Sequence, residues 1–217
     1  MYKKPEIETQ VVKPAMSTKV DGKEFNIITE QSETALEDSL KEIVQYIMFN
    51  NGFGQSDEAK DELYTNAKKL WDKYVDNFRK TNFTIHMNKK QFDYLTEMLR
   101  DKIEYDVNTL FFAIDLTDTL GTWVTEGSPE DDVTVKSYDA DPVSVNYLYH
   151  LVSTVKVKGL TDEAYTFSQV LRRIYDVNRV VNFYDNNAKS LSKDIQEWVA
   201  NFEPQEANYN NFQPQFN

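Results

Sequence analysis

Apolar side chains recur every three or four residues over most of this chain, and that spacing constrains its fold more than any other feature. The clearest stripe follows residue 56 and consists of Leu63, Ala67, Leu70, Trp71, Tyr74 and Phe78. Residues three and four apart share one face of an α-helix, so the stripe predicts an amphipathic helix with a buried face. Such stripes are far more often core than cofactor sites. The predicted fold class is mainly α, a helical bundle of about six helices with a minor β-hairpin.

The first two helices are predicted from their ends. Thr34 and Glu37 match a capping box before an apolar periodic segment, and the residues 50–54 (Asn-Asn-Gly-Phe-Gly) tolerate the left-handed geometry that ends a helix. Ser56 and its following acids open the second helix, where the helix dipole favours negative charge. Because the connection is short, the two helices are expected to form an antiparallel hairpin.

The third helical segment leaves two alternatives open. Asn88 is its expected cap, and apolar residues continue at helical spacing towards Gly121: Phe92, Leu95, Leu99, Ile103, Val107, Leu110, Phe111 and Ile114. Residues 89–120 form either one long helix or two helices with a break near Asp106.

Three further helices are expected in the remainder of the chain. Asp141 followed by Pro142 is a typical cap and first residue of a helix. Gly159 is expected to end that helix, and Thr161 to begin the next. A break at Asn186-Asn187 then separates the last helix, which Pro204 ends.

Extended segments are few. Residues 83–87 are predicted to form a short strand. Residues 122–125 and 133–135 are rich in β-branched side chains and flank a turn with Gly127 and Pro129, which predicts a β-hairpin near 122–136.

Two polar segments flank the predicted helical domain, which covers residues 31–203. An extended N-terminal arm is expected over residues 1–30, where Pro5 and Pro14 disfavour helix. Within this arm, residues 6–12 and 24–28 either pair as strands or form a loose segment. An extended C-terminal tail is expected over residues 204–217.

Charge and composition exclude several classes of function. The net charge of -12 disfavours binding to nucleic acid or to anionic membranes, since both depend on Lys and Arg. The absence of cysteine excludes disulfides, thiolate nucleophiles and thiolate metal sites. No signal peptide is recognised at the N-terminus, so the expected location is a virion or the host cytoplasm. The abundance of Asn, Lys, Tyr and Phe is typical of AT-rich genomes, including those of many bacterial viruses.

No catalytic, cofactor or metal site is predicted. His86 and His150 are expected to have structural or surface roles, because nothing in the sequence places them beside other ligands. The acidic cluster Glu126, Glu130, Asp131, Asp132, Asp139 and Asp141 is more typical of a solvated loop than of a calcium site. The arginines 172, 173 and 179 share a helix and are expected to pair with the chain's own acids, although they also suit a carboxylate or phosphate.

The terminal segments supply the positive indications of function. The tail combines polar spacers with three aromatic side chains, Tyr209, Phe212 and Phe216, and disordered tails are normally poor in aromatics. This pattern favours a peptide that docks on another surface, although a tail that folds back onto its own domain or simply frays is an equal alternative. In the N-terminal arm, the expected partner-binding residues are Ile7, Val11 and Val12.

These observations predict a non-enzymatic structural or assembly protein that binds other protein subunits. A bacteriophage virion component (a connector, ring or internal accessory protein) fits best, with arms that contact neighbouring subunits. The alternative is a small acidic regulator that occupies a basic surface of a host nucleic-acid enzyme. An enzyme that uses carboxylates and a divalent ion is a third hypothesis, and no motif supports it.

Overall fold

A computed structural model of the chain describes residues 13–50 and 57–200. The described part contains seven α-helices and two antiparallel pairs of strands. In chain order, the elements are β1 (Ser17–Val20), β2 (Lys23–Asn26), α1 (Glu30–Asn50), α2 (Asp57–Lys80), β3 (Phe83–Asn88), α3 (Lys89–Glu97), a π-helical turn (Met98–Lys102), α4 (Val107–Asp115), α5 (Thr117–Glu126), β4 (Val135–Ala140), α6 (Pro142–Ser153) and α7 (Asp162–Ala200). The mainly α class with a minor β component is confirmed.

The chain divides into two compact units. The first comprises residues 1–33 and 78–185, and the second comprises residues 34–77 and 186–217. The strands β1 and β2 near the N-terminus belong to the first unit.

The second unit is built from parts of three helices. Glu42 of α1 pairs with Lys73 of α2 at 2.8 Å, and Ser39 accepts a hydrogen bond from Asn77 at 3.2 Å. An earlier residue of α1 contacts a later residue of α2, so the two helices are antiparallel, as predicted. Their buried side chains are Leu36, Ile43, Leu63, Ala67 and Tyr74, and α7 adds Ala188, Leu191 and Ile195.

The core of the first unit forms around strand β3. Phe83, Ile85 and Met87 are completely buried, and β3 pairs with β4 in the register Phe83↔Ala140 to Asn88↔Val135. Asn88 then caps α3 through a reciprocal capping box with Gln91, which confirms the predicted cap. Asp141 likewise caps α6, with Pro142 at the start of that helix.

The predicted hairpin near residues 122–136 is wrong. Residues 122–126 belong to helix α5, where Trp123 is buried and its Nε1–H donates to the Asp139 carbonyl at 2.7 Å. The Asp131 carboxylate accepts the backbone N–H groups of Val133 and Thr134, so these residues form a side-chain-capped turn instead of a strand. Strand β4 therefore begins only at residue 135, and its partner is the distant β3.

The described part of the predicted N-terminal arm is not an extended arm. Residues 17–26 form a hairpin whose two turn residues, Asp21 and Gly22, have φ angles of 51° and 80°. Positive φ at both positions is the type I′ geometry that Asp-Gly favours. Val20, Ile27 and Ile28 are buried, and the Thr84 N–H of β3 donates to the Ile27 carbonyl at 2.7 Å. The hairpin is thus part of the core.

Three helix ends differ from their predictions. Helix α1 begins at Glu30, because the Thr29 hydroxyl accepts the Ser32 N–H at 3.2 Å, so Thr34 lies inside the helix. Helix α6 ends at Ser153, before Gly159. Helix α7 continues through Asn186-Asn187 without the predicted break. Of the two alternatives for residues 89–120, the break near Asp106 is the one observed.

Candidate functional site

Helix α4 exposes a row of large apolar side chains. Val107, Leu110, Phe111 and Ile114 have 71%, 49%, 62% and 56% of their surfaces accessible to solvent. Their spacing of three and four residues places them on one face of the helix. Exposed apolar side chains are normal when scattered singly, whereas an ordered row of them is typical of an interaction site. We call these four residues the α4 stripe.

The opposite side of α4 holds the helix against the first unit. The Phe112 ring stacks on Tyr147 of α6 with a centroid separation of 4.7 Å, and it meets the His150 ring edge-on at 4.9 Å. Leu116, directly after the helix, is 1% exposed. Because these contacts fix one side of the helix, the α4 stripe is held on the solvent side.

The start of α4 is also fixed locally. The Asp106 carboxylate accepts the Thr109 N–H at 2.8 Å, and the Thr109 hydroxyl accepts the Asp106 N–H at 2.8 Å. This reciprocal pair satisfies two amides at the helix N-terminus. The orientation of the α4 stripe therefore rests on a cap at one end and on Phe112 in the middle.

Sequence periodicity grouped the α4 stripe with the preceding core residues, and the structure separates them. Phe92 and Leu95 are buried, but the π-helical turn and the extended residues 103–106 interrupt the helical phase before α4. Helix α4 has apolar side chains on both faces, and periodicity cannot tell which face is covered.

The acidic cluster lies beside a groove of about 670 Å³ in the first unit, lined by residues of α3, the 127–134 loop and the start of α7. Of the cluster, only Asp131 and Asp132 line the groove; Asp141 caps α6, and Asp139 accepts a hydrogen bond from Thr84 at 2.8 Å. Hydrogen bonds from Thr134 and Val133 hold the pKa of Asp131 below its usual value. Asp132 accepts the Lys90 N–H at 2.9 Å.

Two of the lysines that line this groove, Lys89 and Lys102, form ion pairs within the chain. Lys102 lies 2.5 Å from Glu163 and 3.6 Å from Glu97, and its ammonium sits 4.7 Å from the centre of the Tyr94 ring. Lys89 pairs with Asp93 at 2.8 Å. The acids and lysines of the groove thus stabilise the local structure, and they form no convergent set of ligands.

His86 has a structural role. Its Nε2 lies 2.8 Å from the Asn26 carbonyl, and its Nδ1 lies 3.0 Å from the Ser137 hydroxyl. The neutral ring satisfies both contacts when Nε2–H donates to the carbonyl and Nδ1 accepts from the hydroxyl. Burial lowers the pKa of His86 from 6.5, against the opposing effect of the Asn26 hydrogen bond. The side chain therefore ties the N-terminal hairpin to β3 in its neutral form.

Within residues 13–50 and 57–200, no three His, Asp or Glu side chains are grouped so as to hold a metal ion. Over the same part of the chain, no helix combines the length and apolar character needed to span a bilayer. The predicted partner-binding residues Ile7, Val11, Val12, Tyr209, Phe212 and Phe216 all lie outside the described residues.

Comparisons of the chain with protein-family models, with curated proteins and with solved structures found no match.

Proposed function

We propose that this protein is a non-enzymatic assembly subunit that uses the α4 stripe as a contact surface for a second copy of the chain. The observation that carries the proposal is the exposure of four apolar side chains, Val107, Leu110, Phe111 and Ile114, in one ordered row. Covering apolar surface is the main favourable term in protein association. Of the described features, this row gives the clearest reason for the chain to bind another protein.

The same sequence supplies a complementary element for a neighbouring copy. The C-terminal tail presents Tyr209, Phe212 and Phe216 between polar spacers, and the N-terminal segment presents Ile7, Val11 and Val12. A tail that reaches a neighbouring subunit adds buried area and valency without enlarging the domain. We therefore propose that the aromatic tail of one copy covers the α4 stripe of the next. A bacteriophage virion is the setting that the compositional bias favours.

Sedimentation velocity over a range of protein concentrations tests this proposal. The variant Leu110→Ser is expected to weaken self-association, and removal of residues 205–217 is expected to weaken it comparably. The matched control is Leu160→Ser, because Leu160 is fully exposed in the same unit outside the α4 stripe. A chain that stays monomeric at all concentrations overturns the proposal, as does equal weakening by Leu160→Ser.

Salt dependence separates this proposal from the acidic-regulator alternative. Copies with a net charge of -12 repel one another, so salt screens the repulsion and strengthens association through apolar surface. Binding of an acidic regulator to a basic partner weakens with salt. The alternative also relies on exposed acids, and two of these, Asp131 and Asp132, already accept backbone N–H groups of the chain itself. We expect self-association that increases from low to moderate ionic strength, and a decrease contradicts the proposal.

A further inference from the structure

Four cationic side chains converge where strand β1 meets helix α7 in the first unit. Lys19 and Arg172 line both of two neighbouring clefts, which have volumes of about 260 Å³ and 300 Å³. Arg179 also lines the smaller cleft, and Arg173 also lines the larger cleft. Among the described residues that line either cleft, Asp176 is the only acid. We call the four cations and their two clefts the cationic cleft, in which four positive charges face one negative charge.

The acid expected to neutralise these arginines is bound elsewhere. Asp176 lies four residues after Arg172 and three before Arg179, which is the favoured spacing for helical ion pairs. Its Oδ2 instead accepts the Thr18 hydroxyl of β1 at 2.9 Å. Across the ranges that the structure describes, no carboxylate lies within ion-pair distance of Arg172, Arg179 or Lys19. Among the described residues, Arg172 and Arg179 therefore lack the predicted ion pairs with the chain's own acids.

A second hydroxyl on β1 binds the acid that lies opposite Lys19 in the hairpin. Glu24 is the cross-strand partner of Lys19 in the hairpin. Its carboxylate accepts the Ser17 hydroxyl at 2.5 Å. Two consecutive hydroxyl residues of β1 thus donate to two carboxylates that lie beside the cationic residues in sequence or across the hairpin. The charges of Asp176 and Asp21 act on Arg173, but among the described residues no ion pair compensates Lys19, Arg172 or Arg179.

Arg173 provides an independent observation. Its side chain is 7% exposed, its Nη1 contacts the Thr18 hydroxyl oxygen at 3.4 Å, and its Nε has no hydrogen-bond partner. Buried N–H groups without a partner are rare and costly in folded proteins. Burial lowers the pKa of Arg173, and the charges of Asp176 and Asp21 oppose that effect only in part. Arg173 thus lines the larger cleft and carries a buried N–H that no group of the described chain satisfies.

We propose that the cationic cleft binds a phosphate dianion, either free phosphate or a phosphate monoester. Guanidinium groups donate paired hydrogen bonds that match phosphate oxygens, and a local excess of positive charge suits a dianion better than a single carboxylate. The two small clefts suit a compact group. A nucleic-acid strand is disfavoured, because the rest of the chain repels an extended polyanion.

NMR titration of the full chain tests the proposal through the arginine Nε–Hε signals. The probes are inorganic phosphate and O-phosphoserine, which distinguish free phosphate from a phosphorylated side chain, with a glutamate peptide and a thymidine oligonucleotide as competitors. We expect saturable binding of at least one phosphate probe and a shift of the Arg173 Nε–Hε signal. The variant Arg172→Gln/Arg179→Gln is expected to weaken binding at least tenfold. The control Lys156→Gln/Lys158→Gln has the same change in charge on exposed lysines, and we expect less than a twofold effect.

Three results would overturn the proposal. One is the absence of saturable binding by both phosphate probes at low ionic strength. Another is equal weakening of phosphate binding by the lysine control, which would show that binding depends only on the overall charge of the chain. The third is tighter binding of the peptide or the oligonucleotide than of either phosphate probe. Because Arg172 and Arg179 are exposed, their replacement leaves the core intact, and none of these outcomes depends on the α4 stripe.

Discussion

Two adjacent phenylalanines of α4 are expected to respond to the same substitution in opposite ways. Phe111 is 62% exposed on the α4 stripe, whereas Phe112 stacks on Tyr147 at 4.7 Å and meets His150 at 4.9 Å. The variant Phe111→Ala should affect association alone. The variant Phe112→Ala should reduce stability, because it removes the aromatic contact between α4 and α6.

The magnitudes follow from the exposed surface. A phenylalanine buries about 150–250 Å² in a core, so an exposed fraction of 62% leaves roughly 90–150 Å² for a partner to cover. At ~25 cal/mol per Å², covering that surface contributes about 2–4 kcal/mol. Loss of this contribution predicts that Phe111→Ala weakens self-association by at least about tenfold. The free energy of unfolding should change by less than about 0.5 kcal/mol, as for other exposed positions.

The control variant has the reverse profile. Phe112→Ala should lower the free energy of unfolding by about 2–4 kcal/mol, somewhat less than truncation of a fully buried aromatic, because Phe112 is half-buried. Urea denaturation of dilute protein measures stability, and sedimentation velocity measures association. Comparable destabilisation by both variants would refute the assignment of Phe111 to the exposed face. A stable Phe111→Ala variant with unchanged association would refute the assignment of the α4 stripe to the interface.

Three further predictions concern the scaffold that positions these surfaces. Gly22→Ala should lower stability by about 1–2 kcal/mol in thermal denaturation, because φ is 80° there, and an equal effect of Gly121→Ala would contradict this reasoning. Asp106→Ala should lower the free energy of unfolding by about 1 kcal/mol, because it removes the α4 cap. Asp106→Asn should retain most of that stability, because Asn is also a good cap. His86 has a lowered pKa, so the unfolded state binds its proton first, and stability should fall as the pH decreases below about 6.5. The variant His86→Gln should reduce this dependence of stability on pH, as measured by urea denaturation at several pH values. An unchanged dependence would show that other groups cause it.

Elements with strong local signals were predictable from the sequence. Asn88 and Asp141 cap their helices as predicted, because each supplies an oxygen to backbone N–H groups within three residues. The Asp21-Gly22 turn carried an equally strong local signal, an Asp-Gly pair between extended segments, and the sequence interpretation missed it by assigning residues 1–30 to an arm.

The errors arose where a distant contact decided between local alternatives. Residues 122–125 have β-branched side chains at strand-like spacing, yet burial of Trp123 against Tyr138 and its hydrogen bond to the Asp139 carbonyl favour the helix. Likewise, Arg172 and Arg179 were expected to pair with the chain's own acids, and Asp176 has the helical spacing for such pairs. The competing Thr18 hydroxyl lies 158 residues away in sequence, so no local pattern could reveal it.

The α4 stripe shows a related limit. Its periodicity was evident in the sequence, and a helix with a wide apolar surface was the correct inference. Which face is covered depends on Phe112 reaching Tyr147 and His150 on α6. A candidate interface of this kind is visible only once the tertiary contacts are known.

The pairing of β3 with β4 also affects how the chain is made. Phe83 and Ala140 are partners although ~57 residues separate them, so on a ribosome β3 emerges well before β4 exists. At about 5–20 residues per second, that interval is roughly 3–11 s. During it, the apolar side chains of Phe83, Ile85 and Met87 lack their strand partner. The β1–β2 hairpin is already synthesised, and its contact from Ile27 to Thr84 can shield one edge of β3 from other nascent chains.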